Sequence, residues 1–298
     1  MVRARYPSGK KPREKQLMAI LAVDLGGTKT LVALVDGSRL VDVRSLPTQM
    51  DGGPDQWLEN IKNEVCNWQG KFDGIGFAVT GLISDGFWSA LNEKTLCITG
   101  DYPLAERVTE IFGATPILRN DAQAAAYGEF AFGAGQGQDT VFLTVSTGVG
   151  GGIVVHGRLL AGRTGLAGHF GQLRGADDER VEDRVSGRAM ERQARTLGFK
   201  MTVPEIFEEV INGAPWAESI FDASARGVAG LCADIKLTLD PAHIVIGGGI
   251  GLVPMYLERV KFHLSDLTPE LQPKLSPAAL GANAGVLGIA ALLKTKET

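Results

Sequence analysis

Four short stretches of this chain carry residue types whose spacing could do chemistry. In Asp24-x-Gly26-Gly27-Thr28-Lys29 a carboxylate leaves an apolar run and meets two glycines, a hydroxyl and an amine. Glycines let backbone approach a ligand without a Cβ, the N–H groups of such a turn can hold phosphate, and Asp24 stands where a metal-bound water would sit. Ser146-Thr147-Gly148-Val149-Gly150 has a similar character, and Gly247-Gly248-Gly249 ends an apolar run just before a helical pattern, a usual resting place for a nucleoside or phosphate. The fourth stretch is Asn120-Asp121, followed by the alanine-rich AQAAAYGEF. There Asp121 would lie at a helix N-terminus, where the dipole favours its ionised form. Two readings of Asp121 stay open on pattern alone, a helix cap and a general base; the first glycine stretch also reads as an ordinary tight turn.

Positioning these residues requires a sheet with loops at its ends. Apolar β-type runs at about 19–24, 31–36 and 39–46 predict a meander, and Trp57, Leu58, Ile61, Val65 and Trp68 predict a helix over about 54–69 with both tryptophans in the core. Phe72 to Val79 reads as a strand delivering Thr80-Gly81 to a ligand, and a short hairpin is expected around Ser84-Asp85-Gly86. Asn92 follows, suited either to capping a turn or to bonding a polar substrate. A helix at about 103–112, a strand at 115–119 and the alanine helix come next. Thr140 to Val155 then repeats the logic of the opening stretch about 120 residues later. Two such copies imply two similar α/β halves, each giving one glycine hairpin to a shared cleft. Helices are expected at about 182–197, 204–212 and 215–239, a buried strand at His243–Ile246, a helix from Val253, and a closing helix from about Gly281 to Leu293. The resulting division is a basic extension over 1–18, a smaller domain over 19–120 and a larger one over 121–298, with the last helix packing back on the first.

With 44% hydrophobic and 21% charged residues among 298, the chain can bury two cores. Its net charge of −4 gives no overall basic field for nucleic acid. Arg3, Arg5, Lys10, Lys11, Arg13 and Lys15 form one basic block, expected to be a disordered extension without the apolar core of a signal peptide. Cys66, Cys97 and Cys232 are far apart and read as free thiols in a reducing cytosol. No uncharged apolar window is long enough to span a membrane. The Gly-x-x-x-x-Gly-Lys-Ser/Thr loop, the dinucleotide fingerprint, the Gly-x-Ser-x-Gly elbow and the His-Glu-x-x-His helix are all missing.

In order, the runs AVDLGGTK, LRNDAQAAAYGEF, TVSTGVGGGIVV, GLAGHFGQ and VIGGGIG resemble the ROK family of sugar kinases, over almost the whole chain from about Ile20 to Leu292. Within that family, NDAQAAA, STGVGGGIVV, GLAGH and ADIK followed by VIGGGIGL are most similar to the bacterial N-acetylmannosamine kinases. The resemblance implies an α/β fold with two similar domains of the actin/hexokinase (ribonuclease H-like) superfold around an interdomain cleft. It also implies a cytoplasmic homodimer using ATP and Mg2+ to phosphorylate the 6-hydroxyl of N-acetyl-D-mannosamine in sialic acid catabolism. A glucokinase, fructokinase or other hexose kinase is the alternative. A sugar-sensing repressor of the same family would need a DNA-binding head of about 60–80 residues before the first hairpin, where about 18 stand.

Residue by residue, the resemblance gives Asp24 the magnesium-ATP through water, and gives the phosphates to Gly26, Gly27, Thr28, Thr147, Gly148 and Gly150; Lys29 of the same turn is expected to bring charge to the nucleotide. Gly248 and Gly249 fall at the nucleoside end. Asp121 matches the catalytic base, while Asn92, Asn120, His169 and Glu182 match sugar-hydroxyl positions and Gly81 lines the same pocket. Ser186-Gly187 matches the pair that follows the family's substrate glutamate. Many members carry a zinc site that this chain departs from. Gln172 stands at its histidine position and RGADDERV, 174–181, holds no cysteine, so no zinc site is expected. The loop is expected to rest instead on ion pairs among Asp177, Asp178, Glu179, Arg180, Glu182, Asp183 and Arg184.

Overall fold

The opening apolar run forms β1 (Ile20–Leu25), buried along nearly its whole length, and the glycine turn sends the chain back as antiparallel β2 (Lys29–Asp36). β3 (Arg39–Pro47) alternates exposed and half-buried residues, as an edge strand does when one face meets water. β4 (Gly74–Val79) is buried throughout and runs parallel to β1. The hairpin of β5 (Leu82–Ser84) and β6 (Phe87–Ser89) turns through Asp85 and Gly86, both at positive φ (49° and 87°), which suits the strand twist. β7 (Ile117–Asn120) completes a sheet of order β3-β2-β1-β4-β7. This computed structural model describes residues 19–49, 51–91, 98, 100–175 and 178–295. The basic block from Arg3 to Lys15, Asn92, Cys97 and Asp177 lie outside the described residues.

The second half repeats the plan. β8 (Thr140–Val145), β9 (Val149–Val155), β10 (Arg158–Leu159), β11 (His243–Gly247) and β12 (Leu275–Pro277) form a sheet of order β10-β9-β8-β11-β12. Sequential strands take the same places in both sheets, so the internal repeat is a duplicated topology. β10 and β12 escape a sequence reading because two and three residues are too short to show a period.

Helices α1 (Gly53–Glu64) and α2 (Leu104–Phe112) cover the outer face of the first sheet, where Trp57, Trp68 and Phe77 share one core. The helix expected over 54–69 stops at Glu64, and a 3-10 turn at Cys66–Trp68 carries the last tryptophan into that core. α3 (Asp121–Phe132) follows β7. Helices α4 (Val181–Val185), α5 (Gly187–Thr196), α6 (Val203–Ile211), α7 (Pro215–Leu239), α8 (Gly248–Gly251) and α9 (Pro254–Leu264) belong to the second half. The single helix expected over 182–197 is interrupted at Ser186, whose hydroxyl accepts the Ala189 N–H at 3.2 Å and starts α5.

α10 (Ala284–Thr295) returns to the first sheet and packs on β1, β2 and β4, while α3 lies between β7 and strands β8 and β9. The two helices cross between the sheets with almost no side chain between them. A Cβ on Gly128 would stand 2.4 Å from the Ala284 carbonyl oxygen, and one on Gly288 would stand 1.7 Å from that of Ala124. Only glycine permits so close a crossing, which joins the two halves through backbone.

Candidate active site

The carboxyl ends of β1, β4, β7 and β8 open into a cleft of about 700 Å3. Gly27 and Thr28 of the first glycine hairpin and Thr147, Gly148 and Gly150 of the second both line it. Asn120, Asp121 and Gly81 line it too, with His169 and Glu182 from the second half. Five expected residues, Asp24, Gly26, Lys29, Gly248 and Gly249, stand outside this lining.

Asn120 is the true cap of α3: its Oδ1 accepts the N–H groups of Ala122 (3.0 Å) and Gln123 (3.2 Å), and its amide donates to the Gly81 carbonyl at 3.0 Å. Asp121 is thereby released from capping the helix, although its Oδ1 still takes the Ala122 N–H at 2.8 Å. Its Oδ2 accepts the Thr80 hydroxyl at 2.7 Å. Thr80 was legible as a residue that a strand delivers to a ligand, but nothing in its type assigned it to the base. Gly81 needs its own identity, because at φ 111° an added Cβ would lie 2.5 Å from the Ser89 carbonyl oxygen.

The two glycine hairpins differ in detail. In the first, the Gly26 N–H is consumed by the Lys29 carbonyl at 3.1 Å and the Gly26 carbonyl accepts the Thr48 hydroxyl at 2.8 Å, so Gly26 shapes the turn. Lys29 pairs with Pro47 at the start of β2, and its side chain is exposed. In the second, the run Val149 to Gly152 serves packing as much as the cleft: a Cβ on Gly152 would meet Ala126 at 2.7 Å, and one on Gly151 would meet the Phe170 ring at 2.6 Å. Gly248, at φ 88°, fits under Val145, where a Cβ would meet its carbonyl oxygen at 2.3 Å. It supports the base of the second hairpin from behind.

Asp24 is recessed beneath the cleft, where Gly285 of α10 leaves room for its carboxylate; a Cβ there would lie 2.3 Å from Oδ2. Burial, and then the neighbouring Asp121 carboxylate, push its carboxyl up to about 7. Two neighbouring carboxylates, one of them recessed, have the donor chemistry that would suit a divalent cation. Among the described residues no group of three or more His, Cys, Asp and Glu side chains converges as a metal cluster.

On the other wall His169 bonds the Leu166 carbonyl through Nδ1 at 3.2 Å, while its Nε2 is buried with no partner. If Nδ1 carries the proton, Nε2 is an acceptor awaiting a hydroxyl or amide N–H. Glu182 turns its Oε2 to the Val149 N–H (3.0 Å), and Arg188 approaches its Oε1 at 3.5 Å. Arg188, which also donates to the Thr147 carbonyl at 3.2 Å, is a cleft residue the sequence did not single out. Its only signal was its place directly after Ser186-Gly187. Of the expected ion pairs, that between Arg180 and Asp183 is present at 2.7 Å, whereas Glu182 and Asp178 pair with Arg188 (3.5 Å) and Arg174 (3.2 Å), which lie outside the expected set. Arg184 departs from that expectation, for its buried Nε has no partner.

Two duplicated sheets, each with a glycine hairpin, and a carboxylate at a helix start between them define the actin/hexokinase type of α/β fold. The ROK family model matches residues 20–296, and the chain belongs to the ROK family. It is 39% identical over 279 residues to the bifunctional enzyme NanE/NanK of Brucella melitensis, covering 93% of this chain and 54% of that one. It therefore spans about half the length of that bifunctional relative. It is also 37% identical over 292 residues to the N-acetylmannosamine kinase of Salmonella typhimurium, covering 94% of this chain and 100% of that one. A crystal structure of a ROK family glucokinase from Streptomyces griseus, in complex with glucose and AMPPNP, superposes with a TM-score of 0.75 at 28% identity, covering 93% and 99% of the two chains. No helix among the described residues is long and apolar enough to cross a membrane.

Proposed function

We propose that this chain is an ATP-dependent kinase that transfers the γ-phosphoryl group to the 6-hydroxyl of N-acetyl-D-mannosamine. The observation that carries the reading is the Asp121 carboxylate between two glycine hairpins, freed from capping by Asn120 and oriented by Thr80. Phosphoryl transfer asks little covalent chemistry of a protein beyond an in-line hydroxyl, an acceptor for its proton and donors for the developing charge. Asp121 takes the hydroxyl proton in this scheme. Gly27, Thr28, Thr147, Gly148 and Gly150 receive the phosphates, with Gly248 and Gly249 behind the nucleoside end. Asp24 would hold Mg2+ through water, and that ion would neutralise charge on the β- and γ-phosphate oxygens. His169 Nε2 accepts from the sugar, and Glu182 and Gly81 border it. The catalytic unit divides near Asp121, with α10 returning to the first half.

The relatives named N-acetylmannosamine kinase support the acetamido sugar. The glucose-bound ROK glucokinase favours a hexose as the second reading. One ADP-release assay over N-acetylmannosamine, N-acetylglucosamine, glucose and fructose separates them. The highest kcat/KM is expected for N-acetylmannosamine, and a preference for glucose of about tenfold or more would overturn the choice of sugar.

A further inference from the structure

A second cavity, of about 480 Å3, lies at the seam between the two halves and shares no residue with the cleft. It is large enough for a small metabolite. β7 is the edge of the first sheet and β10 the edge of the second, and both contribute an arginine: Arg119 from β7 and Arg158 from β10. Tyr127 of α3 lines it as well, and Leu159 and Leu292 supply apolar wall.

The chemistry of the lining is one-sided. Arg119 donates through Nη1 to the Leu118 carbonyl at 2.6 Å, but its Nε is buried and has no partner. Burial pulls its guanidinium below the usual arginine range, and no neighbouring carboxylate offsets this. Arg158 is exposed on β10 and forms no ion pair among the described residues. His156 sits in the β9–β10 turn at φ 51°, in the left-handed region that histidine enters more readily than most residues. The carboxylate that approaches it, Asp139, already accepts the His156 backbone N–H at 2.7 Å. The Tyr127 hydroxyl reaches only the Gly157 carbonyl, at 3.4 Å, the long end of a hydrogen bond. Two arginines and a weakly engaged phenol therefore line a cavity to which no carboxylate of the described residues supplies countercharge.

We propose that this cavity binds a small organic oxyanion, a phosphate monoester or carboxylate on a hexose-sized skeleton, clamped between Arg119 of the first half and Arg158 of the second. Guanidinium groups match the paired oxygens of phosphate and carboxylate in a way a point charge does not. The apolar wall from Leu159 and Leu292 takes the carbon skeleton. Because the two arginines come from different sheets, a bound anion ties the seam shut. Arg119 also precedes Asn120 and Asp121 directly, so the ligand pulls on the strand that presents the base.

The test is calorimetric titration of the full chain with glucose 6-phosphate, gluconate and inorganic phosphate, which does not depend on the kinase assignment. One organic probe is expected to bind with a Kd of about 5 mM or tighter. Arg119→Gln and Arg158→Gln should each weaken it about tenfold or more, Arg158→Lys by less, and the cleft variant Arg188→Gln should leave it unchanged. Arg158 is exposed on a two-residue edge strand, so Arg158→Gln should keep the wild-type melting temperature without ligand even if Arg119→Gln fails to fold. Preference for glucose 6-phosphate marks an ester, and preference for gluconate marks a carboxylate. No binding below about 10 mM, wild-type affinity in Arg158→Gln, or loss in Arg188→Gln would overturn the site. Inorganic phosphate binding as tightly as both organic probes would overturn the skeleton-binding wall.

Discussion

Thr80→Val removes one hydroxyl while keeping the β-branched shape, and so isolates a single interaction at the proposed base. In the native protein Asp121 Oδ2 accepts that hydroxyl at 2.7 Å, and Oδ1 accepts the Ala122 N–H at 2.8 Å. Together these two bonds fix the plane of the carboxylate. A hydrogen bond to a charged group contributes about 1.5–3 kcal/mol, and water entering the open cleft would recover part of that. A net loss of about 1–2 kcal/mol in the transition state corresponds to about a 5- to 30-fold fall in kcat/KM. The fall should reside in kcat, because the base is needed when the proton moves and Thr80 has no assigned contact with nucleotide. The assay is coupled ADP release with N-acetylmannosamine, run beside Thr80→Ser, which retains a donor and should stay within a few-fold of wild type. The Trp88 indole bond to the Thr80 carbonyl, at 2.8 Å, is a backbone contact that both variants keep. Turnover of Thr80→Val within about twofold of wild type would refute the orienting role, and a rise in KM alone would move Thr80 to substrate binding.

Asp121→Asn should lower turnover by about 10²–10⁴-fold while sugar and nucleotide still bind, measured by calorimetry beside the coupled assay. Gly288→Ala would press a methyl group against the Ala124 carbonyl and should destabilise by about 1–3 kcal/mol; Gly230→Ala in α7, where nothing lies within 4 Å, should stabilise by up to about 1 kcal/mol, both read from urea midpoints. Asp24, its carboxyl pushed up to about 7 by burial and then by Asp121, binds more protons folded than unfolded between about pH 4 and 7. Stability of the ligand-free protein should therefore fall as pH rises through that window, and Asp24→Asn should regain about 2–4 kcal/mol at pH 8 with little effect at pH 4, in denaturant titrations at both values.

Placement of the longer strands and of the hairpins was legible because the information is local, while β10 and β12 were too short to show it. The apolar runs around Asp24 and Ser146 and the repeat between them reveal two sheets, and 215–239 reads as one helix to the residue. Local pattern could not say which of two adjacent polar residues caps α3. Asn120 and Asp121 both suit that position, and the choice depends on Thr80 and Gly81, some forty residues away in sequence. The glycines after Gly148 look like one phosphate motif, yet Gly151 and Gly152 are small because Phe170 and α3 press on them. Gly285 and Gly288 similarly read as helix composition, although they admit Asp24 and α3. In each case the missing information was the partner across the fold.

The loop over 173–187, on the cleft wall that carries Glu182, shows which forces hold it without thiolates. Its ion pairs are at least partly exposed: Arg174 and Asp178 are 57% and 84% exposed, Arg192 and Glu179 48% and 45%. Pairs of that kind contribute about 0–1 kcal/mol each and weaken with salt. The far end of the loop is bound differently. The Gly187 N–H donates to the Ser146 carbonyl at 2.8 Å, the Arg188 N–H to the Thr147 carbonyl at 3.3 Å, and Val149 donates to Glu182. Ser186, buried, caps α5 at the same point. The second glycine hairpin is therefore the anchor, and the ion pairs only trim the exposed part. On the proposed function, a Glu182 drawn toward a sugar hydroxyl would give up the Val149 N–H it now accepts at 3.0 Å, so the second hairpin is the part of the cleft that this move would loosen.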